Sequence, residues 1–124
     1  MRRFAWLLTG IMLAACAAPT PAPQPADFPN HTRDQVFTLD YRIDQGPARV
    51  EAVGLVDSRN TIAFRFVRLN LFGVDANGRV VSRGETTVYG SFGGPQQFSL
   101  ALRPRGDEVR FELQVGAYSL GRDL

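Results

Sequence analysis

From Gln35 onward apolar side chains recur at every second residue, and this period of two constrains the fold more than any other feature. Phe37, Leu39, Tyr41 and Ile43 alternate with Thr38, Asp40 and Arg42. Successive side chains of a strand point to opposite faces, so the spacing predicts a strand with one buried face. Gly46-Pro47 turns the chain, and Val50, Ala52, Gly54 and Val56 repeat the pattern up to the turn-prone Asp57-Ser58-Arg59-Asn60. A longer strand follows from Thr61 to about Val74. Ile62, Phe64 and Phe66 share one parity and Val67, Leu69 and Leu71 the other, so the switch at Phe66-Val67 predicts a bulge or a central strand covered on both faces. Asp75-Ala76-Asn77-Gly78 is expected to be a hairpin turn, with the return strand starting at Val80-Val81 and resuming after Gly84 as Thr86 to Tyr89. Phe98, Leu100 and Leu102, then Val109, Phe111, Leu113 and Val115, supply two more alternating sets around a turn at Pro104-Arg105-Gly106-Asp107. Phe66 and Phe111 are the expected central core residues. No stretch sustains a period of 3.6. Six or seven short strands predict an all-β fold, a single small antiparallel immunoglobulin-like sandwich.

The N-terminus obeys a different grammar. Met1-Arg2-Arg3 is followed by the apolar run Phe4 to Ala15. Twelve helical residues rise only about 18 Å, against roughly 30 Å of bilayer hydrocarbon, too little to span it. A basic start, a short apolar core and small residues before a cut site are the parts of a secretory signal. Leu13-Ala14-Ala15-Cys16 resembles the lipobox of bacterial lipoproteins, which implies acylation of Cys16 and removal of residues 1–15. Cys16 is also the only cysteine, so no disulfide within one chain can staple the domain. Residues 17–29 hold five of the eight prolines and are expected to form an extended spacer of about 3.1 Å per residue. The organisation read from these features is a signal peptide over 1–15, a lipidated cysteine and proline-rich linker over 16–32, and the β domain over 33–121.

The formal net charge of +2 includes Arg2 and Arg3. Without them the 14 basic residues fall to 12, equal to the 12 acidic ones, so no basic excess points to nucleic acid.

Val53-Gly54-Leu55-Val56, Phe66-Val67-Arg68-Leu69-Asn70-Leu71, Asp75-Ala76-Asn77-Gly78-Arg79-Val80-Val81 and Leu102-Arg103-Pro104-Arg105-Gly106 with Phe111 together resemble the FxLYD-type domain of prokaryotic envelope proteins. The similarity spans about residues 50 to 115. It implies an immunoglobulin-like fold and no established catalytic residues.

The side chains that carry chemistry are few. His31 is the only histidine and is expected to be a solvated linker residue, without the fixed partners a catalytic or metal-bound imidazole needs. Asp75 to Gly78 opens like a calcium loop, but the twelfth position is Thr86, with Glu85 one short. Arg105-Gly106-Asp107 reads as an inter-strand turn rather than an adhesion tripeptide. Gly90-Ser91-Phe92-Gly93 lacks both the strand-to-helix context and the histidine that a nucleophile elbow requires. No catalytic residue, metal site or cofactor is expected. Two aromatics remain as candidate partner contacts, Phe92 among glycines and Tyr89 just before them, because an exposed ring desolvates well on a partner. The other reading of Phe92 is that it folds back to plug one end of the sandwich.

The expected function is a non-catalytic envelope lipoprotein, held to the bilayer through Cys16, whose domain contacts an envelope protein or peptidoglycan. The alternatives are a purely structural envelope lipoprotein and, from another class, an enzyme or metal-binding protein. Ala17, where Asp would by resemblance retain a Gram-negative lipoprotein in the inner membrane, points to the outer membrane facing the periplasm.

Overall fold

The computed structural model describes residues 21–59, 62–90 and 94–121. Cys16, Ser91 and Phe92 lie outside them. The alternating segments become seven strands: β1 (Asn30–Arg33), β2 (Phe37–Gln45), β3 (Val50–Ser58), β4 (Phe64–Asp75), β5 (Val80–Tyr89), β6 (Gln96–Leu102) and β7 (Glu108–Leu120). They form one sheet in the order β1-β2-β3-β6 and a second in the order β5-β4-β7, with every pairing antiparallel. The chain crosses between sheets from β3 to β4, from β5 to β6 and from β6 to β7, while β3 pairs with β6 and β4 with β7. These interlocked pairs are the Greek-key heart of an immunoglobulin-like sandwich.

The two sheets bury the parities that the alternation marks. Phe37, Val50, Val56, Val67, Leu69 and Leu71 are the largest side chains fully shut from water. Tyr41 and Ile43 pack against this core from the outer half of β2. Phe37 is met edge-on by Phe64 at 5.4 Å and by Tyr118 at 5.2 Å between ring centroids, the geometry that aromatic quadrupoles favour.

β4 departs from the expected register. Its pairing with β7 is irregular between Phe64 and Phe66, two residues before the expected switch. The extra residue turns Phe64 inward, where it is only 3 % exposed, and leaves Phe66 half-buried on the outer face. Phe66 is therefore not a central core residue. Phe111 is half-buried at the margin of the core, and Leu113 is the buried residue of β7.

The domain's described structure begins before the expected boundary at 33. Pro25–Asp27 is a single 3-10 turn rather than extended spacer, braced by the Gln24 backbone N–H donating to the Asp27 carboxylate at 2.9 Å. Phe28 is buried, with the Arg42 guanidinium 6.0 Å from its ring centroid. β1 then pairs residue for residue with β2, from Asn30 opposite Tyr41 to Arg33 opposite Thr38. All four β1 residues remain exposed, so no apolar alternation marks this strand.

Turn chemistry fixes the remaining joints. Between β4 and β5 the Gly78 N–H donates to the Asp75 carbonyl at 3.0 Å, and Gly78 takes a left-handed φ of 82°, a conformation glycine adopts without Cβ strain. The Asp75 carboxylate caps the loop by accepting from the backbone N–H groups of Asn77 and Arg79. β5 runs unbroken through Gly84.

Candidate functional site

One flank of the sandwich is closed and the other open. On the closed flank β5 approaches β6 so tightly that a Cβ on Gly84 would stand 2.1 Å from the Ala101 carbonyl oxygen. On the open flank, between the edge strands β1 and β7, lies a groove of about 270 Å³ lined by Thr32, Arg33, Phe37, Leu39, Leu113 and Val115 among others. Its floor is apolar and its rim polar, the composition of an interaction groove. Period-two patterning carries no signal for this feature, because it does not say which strands end up as edges.

Tyr89 ends β5 and is 72 % exposed. It lies directly across from Phe66, so two rings stand side by side on the outer face of the β5-β4-β7 sheet. Further along the same face, cross-strand pairing aligns Glu85, Asn70 and Gln114, then Arg83, Phe72 and Glu112. The Arg83 guanidinium covers the Phe72 ring at 5.3 Å. The Gly90 N–H donates to the Arg65 carbonyl at 3.2 Å and fixes where the glycine-rich loop departs. Tyr89 thus stands exposed, as a contact residue requires, while its companion Phe92 is outside the described residues. Phe66 and Phe72 add to this surface; sequence reasoning missed them because it assigned Phe66 to the core.

The polar groups singled out from the sequence are engaged in structure. His31 is held in β1, with its Nδ1 2.6 Å from the Asp40 carboxylate of the neighbouring strand, and is no linker residue. The carboxylate of Asp75 is occupied by its own turn. Arg105 and Asp107 pair with each other, Nε to Oδ1 at 3.7 Å, within the turn between β6 and β7. Glu108 is the most perturbed acid. It accepts from the Ser82 hydroxyl at 2.5 Å and from the backbone N–H groups of Arg105 at 2.7 Å and Gly106 at 2.8 Å. The Ser82 hydrogen bond first, then those from the backbone, lower its pKa from 4.5 to about 2. Hydrogen bonds to the charged form stabilise it, so Glu108 latches β5 and the β6–β7 turn together as an anion at neutral pH. Such a group is unsuited to proton transfer near neutral pH. Among the described residues no three or more His, Cys, Asp or Glu side chains gather as metal ligands.

No family model, curated protein or solved structure matches this chain.

Proposed function

We propose that this chain is a lipid-anchored envelope protein whose immunoglobulin-like domain works by binding rather than by catalysis. The observation that carries the proposal is Leu13-Ala14-Ala15-Cys16 behind a basic, apolar leader, joined by a proline-rich spacer to an independent β-sandwich. The contacting surface is the outer face of the β5-β4-β7 sheet around Tyr89 and Phe66, where exposed aromatics stand among planar polar side chains; rings of this kind contribute disproportionately to binding. Its partner is an envelope protein or peptidoglycan, and its place is the periplasmic side of the outer membrane.

Acylation is tested by growing cells expressing the full chain with labelled palmitate. The wild-type chain takes up label and fractionates with outer-membrane markers, and Cys16→Ser loses both the label and the membrane association. Label retained in Cys16→Ser removes the anchor. Cofractionation of the wild type with inner-membrane markers removes the outer-membrane placement.

A further inference from the structure

The longest edge strand of the molecule is β7. It runs thirteen residues yet pairs only with β4, leaving a long open edge beside the groove. Such an edge is a template for another strand, and proteins usually blunt one with proline, lysine, an inward-pointing charge or a bulge. Both ends of β7 are blunted in this way, because its register slips between Glu108 and Arg110 and again between Val115 and Tyr118. From Arg110 to Val115 the register with β4 is unbroken, there is no proline or lysine, and Phe111, Leu113 and Val115 all pack on the core. Val109, immediately before, is 62 % exposed, an apolar side chain without cover.

The charges on this stretch decide which strand fits. Arg110 and Glu112 stand on the outer face and pair with each other at 2.6 Å while remaining substantially exposed. Two copies of β7 meeting antiparallel must keep their core faces on the same side, because a slip of one residue exchanges the faces. Centring on Gln114 or Val115 carries Glu112 across to Gly116 or Tyr118, in the slipped part of the strand, which leaves four such registers on this stretch. Centring on residue 110 sets Arg110 against its own copy, and centring on residue 112 does the same to Glu112. Centring on residue 113 sets Glu112 against Gln114. Centring on Phe111 sets Arg110 opposite Glu112 of the second copy, twice by symmetry, with Val109 opposite Leu113 and Phe111 meeting itself. Opposite charges directly across strands stabilise the pairing, and like charges oppose it. We propose that β7 pairs antiparallel with β7 of a second copy about Phe111, joining the two three-stranded sheets into one of six. This rests on reading the domain as a binding module and names a second copy of the chain as a partner.

The test uses the full chain carrying two different affinity tags, co-expressed, extracted in excess detergent and captured through one tag. Wild-type copies capture each other. Arg110→Glu sets two carboxylates against two, Glu112→Arg sets two guanidiniums against two, and each variant's capture of itself falls by about tenfold. Mixing Arg110→Glu copies with Glu112→Arg copies restores opposite charges at both contacts and returns capture to the wild-type level. That recovery also shows both variants to be folded, and the pair within each strand, still mismatched, cannot explain it. Wild-type copies that fail to capture each other overturn the proposal. So do single variants that capture themselves undiminished, or a mixture no better than either variant alone. The anchoring assignment is read separately from Cys16→Ser: membrane association that survives that change defeats the anchor without altering the charge-swap pattern.

Discussion

Two phenylalanines two positions apart, Phe64 and Phe66, have opposite fates because one extra residue sits in the pairing between them. Phe64 is 3 % exposed and stacked edge-on against Phe37. Phe66 lies half-buried on the outer face beside Tyr89. Truncating a buried Phe leaves a cavity, so Phe64→Ala is expected to cost about 3–5 kcal/mol. Phe66→Ala forfeits only partial burial and is expected to cost about 1 kcal/mol. Urea unfolding of the two variants checks this, and equal losses would place both rings in the core. The sequence signals an irregularity in β4 through the parity switch at Phe66-Val67 but places it after Phe66, since Phe64 and Phe66 carry the same side chain and the same parity. It was more informative where one residue type decides a conformation alone: Gly78 in the turn after β4, and Tyr89, whose position next to a glycine-rich loop signalled its exposure.

At the scale of elements, β2 and β3 were legible because each packs inward the parity that its apolar alternation marks. β1 was not, because Asn-His-Thr-Arg has no apolar residue and is held by backbone pairing and the His31–Asp40 contact. β5 was expected to break near Gly84; it runs through because the missing side chain lets it press against β6. Gly84→Ala would place a Cβ 2.1 Å from a backbone oxygen, forcing the closed flank apart at a cost of about 1–3 kcal/mol. Gly121→Ala meets nothing nearer than 3.5 Å and is expected to be near neutral, within about 0.5 kcal/mol. Comparing their unfolding midpoints tests whether the β5–β6 approach holds that flank.

For the whole molecule, stability in acid is tied to the Glu108 latch. Its folded pKa of about 2 lies below the ordinary 4.5, so the folded state binds the proton less tightly than the unfolded chain. The latch therefore contributes its full stabilisation above about pH 4.5 and loses it as pH falls toward 2. Melting temperature is expected to drop across that window, and less steeply in Glu108→Gln, which has no proton to take up there. Identical slopes would show that the latch does not govern acid unfolding. The fold class was legible at this scale from alternation and turn spacing. The open flank with its groove was not, because strands far apart in sequence decide which edges stay free. The way the chain enters the domain has a mechanical consequence. A pull on the N-terminal side meets the buried ring of Phe28 first and then the four pairs of β1, none of whose residues is buried. Peeling β1 away would pay out roughly 13 Å of slack, at about 3.3 Å per residue, before load reached the hydrophobic core, so the edge strand can act as a shock absorber between the N-terminal segment and the sandwich.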